Sequence, residues 1–182
     1  MKIKKAAVYD PYLDILGGGE RYILSILKVL EDKNFQTNVF WNQDINQEIQ
    51  TKLNLHFKNL FFLPNIFQNH NFLQKTLSLK DYDIFLYITD GSYFFSLAHK
   101  NYIYAMVPVK KLYSLTLGNR LKLLNYKFIT HSRFIKNYLS QFGIPSILIY
   151  PYIDNDYIDL DINNLNKDKV ILSVGRFFKH LN

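Results

Sequence analysis

The sequence predicts an α/β fold built on a Rossmann-like, doubly wound parallel sheet. Short apolar segments of strand type alternate along the chain with amphipathic segments of helical spacing. Residues 84–88 are apolar throughout, as expected for a central strand that is covered on both faces. Strands separated by helices indicate βαβ units, and consecutive units of this kind build a parallel sheet.

Each element follows from its local residues. The first strand is predicted over residues 3–9, and apolar residues at helical spacing then predict a helix over residues 20–31. Further strands are predicted over residues 37–41, 60–63, 84–88, 102–107, 128–130 and 146–150. Further helices are predicted over residues 45–53, 66–79 and 112–124. A last helix begins at Ser132, which stands where an N-cap belongs, and Gly143 fits the position just after it.

Composition and charge narrow the class of protein. Of 182 residues, 48% are hydrophobic and 20% are charged, which is typical of a folded domain and not of a disordered chain. The absence of cysteine excludes disulfides and thiolate metal sites, so a reducing cytoplasm is the expected compartment. The net charge of +7 favours anionic partners, although a solvated lysine-rich surface would give the same value.

The chain is predicted to contain one complete domain and the start of another. Residues 1–153 hold the strand and helix alternation, and residues 154–169 are polar, rich in Asp and Asn, and typical of a linker. Residues 170–174 then read as a fresh buried strand. Because a lone strand cannot bury both faces, residues 170–182 either add to the first sheet or open a second, truncated domain.

Three consecutive glycines stand between the first strand and the first helix. Gly17, Gly18 and Gly19 are followed directly by Glu20 and Arg21. Glycines permit positive φ angles and let a ligand approach the backbone closely. A helix N-terminus offers N–H groups suited to phosphate or an oxyanion. The segment matches neither the dinucleotide fingerprint nor the P-loop, yet a ligand site is favoured over a turn in which Glu20 only offsets the helix dipole.

Polar residues also follow the strand at residues 84–88. Asp90 and Ser92 lie in this segment. Asp90 has two open interpretations, a hydrogen bond to a sugar hydroxyl or a cap of the next helix. Because ligands of doubly wound sheets bind beyond the carboxyl ends of the strands, both residues are candidates for a site.

A third polar segment follows the strand at residues 128–130. His131 is a candidate acid–base group, although a lone histidine is weak support for that role. Ser132 is interpreted first as a helix cap, and Arg133 as a candidate for phosphate binding. Gly175 and Arg176 form a similar segment after residues 170–174, where an arginine suits a diphosphate.

Two other patterns are interpreted as structural. Asp81 and Asp83 flank one residue, as in metal-binding D-x-D motifs, but they precede a strand and so stand at the wrong end of the sheet for a ligand. The five histidines show no metal-ligand spacing. Basic residues mingle with leucines between residues 109 and 128, which suits either an anionic membrane or an ordinary core stripe under a solvated face, and the core stripe is favoured.

In their order along the chain, these segments resemble the family-four group of retaining GT-B glycosyltransferases. The matching pieces are Asp10-Pro11-Tyr12 with Gly17-Gly18-Gly19-Glu20-Arg21, Tyr87-Ile88-Thr89-Asp90-Gly91-Ser92, Ser132-Arg133-Phe134 with Tyr150-Pro151, and Ser173-Val174-Gly175-Arg176-Phe177. They run from about residue 6 to residue 182. Each piece is weak, and the ordered set is more specific.

The resemblance implies an acceptor-side domain of an enzyme whose two Rossmann-like halves face each other across a cleft. The donor would be a nucleoside-diphosphate-sugar and the acceptor a glycan or a lipid-linked molecule, with no cofactor and no metal. Gly18, Gly19 and Arg176 would contact the donor. The residues implied on the acceptor side are Gly17, Glu20, Arg21, Asp90, Ser92, Ser132 and Arg133. Little or no transfer is expected from residues 1–182 alone.

One position departs from the family pattern. Relatives often carry a histidine where this chain has Tyr104, close to the reacting centre. A tyrosine can donate a hydrogen bond but does not titrate near neutral pH. Tyr104 is the position that the resemblance offers as a catalytic candidate, and it assigns no other catalytic residue.

A non-catalytic module that binds a glycan, a membrane surface or nucleic acid is the alternative. The preferred interpretation expects no nucleic-acid partner. It expects a cytoplasmic protein, with peripheral contact at the cytoplasmic face of the membrane left open.

Overall fold

A single parallel sheet of seven strands organises the fold. The computed structural model describes residues 3–69, 71–113, 115–153 and 169–171. The chain divides into two compact units, Met1–Pro151 and Tyr152–Asn182. The strands of the first unit are β1 (Lys5–Tyr9), β2 (Gln36–Phe40), β3 (Leu60–Leu63), β4 (Ile84–Ile88), β5 (Lys100–Ala105), β6 (Tyr126–Thr130) and β7 (Ser146–Leu148). Its helices are α1 (Gly18–Asp32), α2 (Asn46–Leu53), α3 (Ile66–Asn69), α4 (Phe72–Ser78), α5 (Lys110–Tyr113), α6 (Leu117–Lys122) and α7 (Arg133–Ser140).

The seven strands lie in the order β3-β2-β1-β4-β5-β6-β7, and every neighbouring pair is parallel. The chain therefore runs outward from β1 in one direction and then returns to β4 and runs outward in the other. This order confirms the predicted doubly wound, Rossmann-like α/β fold. It also creates a reversal between β1 and β4, where such sheets bind ligands.

Each face of the sheet is covered by its own set of helices. Along β1, Ala6 and Val8 point to the core beneath α1 and α2, whereas Ala7 and Tyr9 point to the core beneath α3, α5 and α7. The alternation follows from the two-residue period of a strand. Because both faces are buried, the strands read as continuous apolar runs, as residues 84–88 do.

Two helices predicted as continuous are each divided. The predicted helix over 66–79 is α3 and α4, because Asn71 begins a new helix and its Oδ1 accepts a hydrogen bond from Gln74 N at 3.0 Å. The predicted helix over 112–124 is α5 and α6, because Thr116 caps the second by accepting from Asn119 N at 3.2 Å. Both divisions follow the rule that short polar side chains compete for backbone N–H groups.

The predicted core stripe near residues 112–124 is only partly correct. Tyr113 and Leu123 are buried in the core beneath α7. Leu117, Leu121 and Leu124 are exposed instead. The break at Thr116 rotates these leucines away from the sheet, so their spacing does not mark a buried face.

The α7 boundaries agree with the sequence. Ser132 Oγ accepts from Ile135 N at 3.3 Å, as expected of an N-cap. Gly143 has a φ of 67°, the left-handed conformation that favours glycine after a helix. Ser132 and Gly143 could be predicted as the two ends of α7 because helix capping depends on a few neighbouring residues.

The predicted strand over residues 170–174 lies mostly outside the described residues. Val170 and Ile171 are described, and both are exposed and belong to no strand. Gly175 and Arg176, and the predicted linker apart from Lys169, lie outside the described residues. Among the residues that are described, no helix is long and apolar enough to cross a membrane.

Candidate functional site

The carboxyl edge of the sheet brings the predicted segments together. Register places Tyr9 opposite Tyr87 and Ile88 opposite Tyr104, and Ala105 opposite Thr130. The residues that follow β1, β4, β5 and β6 therefore stand side by side in that order. The strand order reverses between β1 and β4, and ligands of doubly wound sheets bind beyond the carboxyl ends of the strands at such a reversal. We call the space beyond the ends of β1 and β4 the crevice.

The glycine segment begins α1 without any positive φ. Among the residues described, positive φ at a glycine occurs only at Gly91 and Gly143, and in this turn Leu16 takes the left-handed conformation with a φ of 46°. The freedom of glycine to adopt positive φ is therefore not used in this turn. The backbone at Gly18 lies beside open space, because a Cβ there would meet no atom within 4 Å.

Gly19 has the opposite environment from Gly18. A Cβ there would lie 2.2 Å from the Sδ of Met106, the residue that follows β5. The close approach lets α1 pack directly against the edge of the sheet. Glu20 is buried, and its Oε2 accepts from Gly17 N at 2.5 Å. Glu20 therefore fixes the entry into α1, so part of its predicted acceptor-binding capacity is already used by the protein.

We expect Gly18→Ala and Gly19→Ala to have effects of opposite sign on stability. Alanine at Gly18 meets open space and gains helix propensity, so the free energy of unfolding should rise by about 0.5 kcal/mol. Alanine at Gly19 must displace the Met106 thioether, and because this group ends a flexible side chain the cost should be about 1 kcal/mol. Denaturant titration of both variants measures the difference, and Met106→Ala should recover part of the loss. Equal effects at the two glycines would contradict the packing described.

Asp10 follows β1 directly and is fully buried. Its Oδ1 accepts from Tyr12 N at 2.8 Å, whereas its Oδ2 has no hydrogen-bond partner among the described residues. Burial, together with the nearby charges of Glu20 and Asp14, raises the pKa of Asp10 to about 7. A buried carboxyl oxygen with unused capacity is unusual and is typical of a functional site.

Asp10 was not singled out as a site residue by the sequence. It appeared only within a matching segment, and the glycines after it drew attention instead. The available signal was its position: a carboxylate immediately after the first strand of a parallel sheet stands at the ligand-binding edge. The same signal identified Asp90 correctly as an edge residue.

Asp90 lies in a tight turn after β4. Its Oδ1 accepts from Ser92 N at 2.8 Å and from the Tyr87 hydroxyl at 2.8 Å. Gly91 has a φ of 98°, which this turn requires. No helix follows directly, so the interpretation of Asp90 as a helix cap is wrong. The carboxylate is exposed and fixes the turn.

The charges of Asp10 and Asp90 both raise the pKa of two neighbouring tyrosines, Tyr9 and Tyr12. Burial, together with the charges of Asp90 and Asp10, raises the pKa of Tyr9 to about 12. Burial and the same two charges also raise the pKa of Tyr12. The charges of Asp10 and Asp90 thus converge on the crevice between β1 and β4. The phenols remain protonated there and can serve as hydrogen-bond donors.

Beside the crevice, Tyr104 and His131 form a pair. Tyr104 Oη lies 3.1 Å from His131 Nδ1, so the phenol donates when the imidazole proton is on Nε2. Burial raises the pKa of Tyr104, and burial lowers the pKa of His131. Burial therefore favours the neutral form of the imidazole. The Tyr22 ring covers the pair, with its centroid 4.4 Å from that of Tyr104, and its hydroxyl donates to Ile149 O at 2.8 Å.

The other predicted residues take separate positions. Ser132 uses its hydroxyl as the cap of α7, and Arg133 is exposed in the first turn of that helix. Arg21 is half-buried in the first turn of α1. Ser92 is exposed beside Asp90. The structure thus gathers the residues after β1, β4, β5 and β6 at one edge, and Arg176 lies outside the described residues.

At the opposite edge, Asp83 holds the start of the sheet. Its Oδ2 accepts from Lys5 N at 2.8 Å. The neighbouring Tyr82 is buried and bonds Asn38 Nδ2 through its hydroxyl at 3.0 Å. Asp81 and Asp83 therefore stand at the amino edge, as predicted. In the described part of the chain no group of three His, Asp or Glu side chains could hold a metal ion.

Comparison with known proteins adds no relative to this picture. No family model, no curated protein and no solved structure matches the chain.

Proposed function

We propose that this chain is the acceptor-side domain of a retaining glycosyltransferase of the GT-B type. The complete enzyme would transfer a glycosyl group from a nucleoside-diphosphate-sugar to a hydroxyl of a glycan or a lipid-linked acceptor, releasing the nucleoside diphosphate. The proposal rests on the chemistry gathered at the carboxyl edge and on the ordered resemblance in sequence.

The main support is Asp10, a fully buried carboxyl with one unused oxygen, beside the start of α1. An oxygen of this kind accepts a hydrogen bond from a hydroxyl group. The first turn of α1 offers N–H groups and partial positive charge, and Gly18 leaves room for a ligand to approach them. A ligand that carries both hydroxyls and phosphate satisfies both groups, and sugar phosphates have this composition.

The pair of Tyr104 and His131 supports the same proposal. Tyr104 stands where members of the family that the sequence resembles often carry a histidine, and the His131 imidazole lies within 3.1 Å of its hydroxyl from the next strand. In the proposed site His131 accepts the hydrogen bond of Tyr104 and fixes the direction of the phenol. The phenol stays protonated near neutral pH, so its contribution is orientation of the substrate and not proton transfer.

Binding of simple ligands tests the proposal directly. We expect uridine or guanosine diphosphate, and methyl glycosides of common hexoses, to perturb the amide resonances of Gly18, Gly19 and Gly91 in the nitrogen-15 labelled chain. One half of a two-domain cleft should bind with a Kd on the order of 1 mM. Gly18→Leu fills the open space beside α1 and should weaken binding about tenfold or more.

Gly118→Leu is the matched control. Gly118 lies in α6, and a Cβ there also meets no atom within 4 Å, so the substitution is equally tolerated away from the carboxyl edge. It should leave both affinity and the perturbed residues unchanged. Perturbations that avoid the carboxyl edge, or that survive Gly18→Leu, would contradict the proposal.

A further inference from the structure

Charge is distributed unevenly along the chain. Residues 91–151 carry eight Lys and Arg residues and no Asp or Glu, whereas residues 1–90 carry ten of each sign. The segment that builds β5, β6, β7, α5, α6 and α7 therefore holds a positive charge larger than the net charge of +7 of the whole chain. No carboxylate within that segment can neutralise it. Such an asymmetry is typical of a surface that meets an anionic partner.

Within this basic segment, one surface also exposes leucines. Leu117 is 76% exposed, Leu121 is 52% exposed and Leu124 is 82% exposed. Their spacing of four and three residues places them on one side of α6 and the turn after it. We call these three residues the leucine face. Single exposed leucines are ordinary, but three on one side of a short helix and the turn after it mark an interaction surface.

Cations border the leucine face. Arg120 and Lys127 are exposed, and Lys122 is half-buried. A groove of about 530 Å³ runs beside Leu124 and is lined in part by Arg120, Lys127 and the start of β7 at Ile147. The surface thus offers apolar side chains at its centre and positive charge at its border.

We propose that the leucine face docks on an anionic phospholipid bilayer. The leucines would enter the boundary between the headgroups and the acyl chains, while the long basic side chains reach the lipid phosphates. Nucleic acid would satisfy the cations but leave the leucines in water. A second copy would satisfy the leucines but would bring two basic segments together.

Docking of this kind leaves the candidate ligand site open. The groove beside the leucine face is formed by the first residues of β6 and β7, at the amino edge of the sheet. Asp10, Gly18 and Asp90 lie at the carboxyl edge. The inference is therefore independent of the proposed function, and either one can fail without the other.

Vesicle sedimentation of the full 182-residue chain tests the inference. We expect binding to vesicles of phosphatidylcholine with about 30% phosphatidylglycerol, and much weaker binding to phosphatidylcholine alone. Leu117→Ser with Leu124→Ser should weaken the partition about tenfold or more without changing the melting temperature, because both side chains are exposed. Arg120→Gln with Lys127→Gln should weaken it about fivefold per cation, and 0.5 M salt should have a similar effect.

A matched control is available on α4. Leu73 and Leu77 are 64% and 53% exposed at the same four-residue spacing, and the acidic Asp81 and Asp83 follow in the sequence. Leu73→Ser with Leu77→Ser should leave vesicle binding unchanged. An equal loss in this control, or equal binding to neutral vesicles, overturns the proposal.

Two other occupants give distinct results. Duplex DNA that binds tightly, loses affinity in the Arg120→Gln and Lys127→Gln variant and ignores the leucine substitutions would assign the surface to nucleic acid. Self-association in sedimentation velocity that disappears in the leucine variant would assign it to a second copy. Either result, without vesicle binding, replaces the membrane proposal.

Discussion

Replacing Asp10 with asparagine is expected to abolish a large pH dependence of stability. Burial raises the pKa of Asp10 from 3.8 to about 7 in the folded protein. The folded state therefore binds the proton more tightly than the unfolded chain. The stabilisation is fully present below pH 3.8 and is lost as pH rises through 7. At 1.36 kcal/mol per pKa unit, the loss is about 4 kcal/mol at most.

Asparagine has no charge to lose, and its amide oxygen can still accept from Tyr12 N. Its NH₂ group adds a constant cost of about 1–3 kcal/mol if it finds no partner. The difference in unfolding free energy between Asp10→Asn and the parent should therefore grow between pH 4 and 7, whatever its absolute value. Denaturant titrations at several pH values measure it. Asp14 is exposed, so Asp14→Asn should change stability by less than about 0.5 kcal/mol. If the difference in unfolding free energy does not change with pH, the pKa of Asp10 is not raised in the folded protein.

Glu31→Ala is expected to lower the free energy of unfolding by about 2–4 kcal/mol. Glu31 lies in the last turn of α1, and its carboxylate accepts from Lys58 N at 3.0 Å and from Asn59 N at 2.7 Å. These two N–H groups precede β3, so Glu31 ties the end of α1 to the start of an edge strand. Hydrogen bonds to a charged group contribute about 1.5–3 kcal/mol each, and removing the acceptor leaves two donors unpaired.

Asp32 is the natural control for this experiment. It neighbours Glu31 and pairs with the same Lys28, but its carboxylate is largely exposed. Exposed ion pairs contribute about 0–1 kcal/mol, so Asp32→Ala should have a small effect. Thermal or denaturant unfolding distinguishes the two variants. A loss at Asp32 as large as at Glu31 would mean that charge near the end of α1, and not the two backbone contacts, stabilises this region.

Local patterns determined most of the secondary structure. The apolar residues of β4 predicted a central strand, and Ser132 and Gly143 predicted the start and end of α7. These features depend on a few neighbouring residues, so the sequence was sufficient for them. It failed at residues 66–79 and 112–124, because Asn71 and Thr116 compete with the helix through side-chain hydrogen bonds that apolar periodicity does not report.

The candidate site was predicted less completely. The rule that ligands bind beyond the carboxyl ends of parallel strands located the segments at Gly18, Asp90 and His131 correctly along the edge. It gave no means of ranking the residues within each segment. Asp10 gained its importance only when burial left Oδ2 without a partner, and Glu20 lost part of its acceptor capacity to Gly17.

The sequence by itself determined the α/β class and the strands of the sheet, because the two-residue and 3.6-residue periods are properties of the local chain. Only the tertiary structure decided the strand order and the close contact of Gly19 with Met106. It also decided the partnership of Glu31 with Lys58 and Asn59 and the exposure of the leucine face. These contacts join residues that are far apart in sequence or that share a pattern with buried ones. The energies of these contacts depend on which surfaces meet and on how much water is excluded, and a local sequence pattern determines neither.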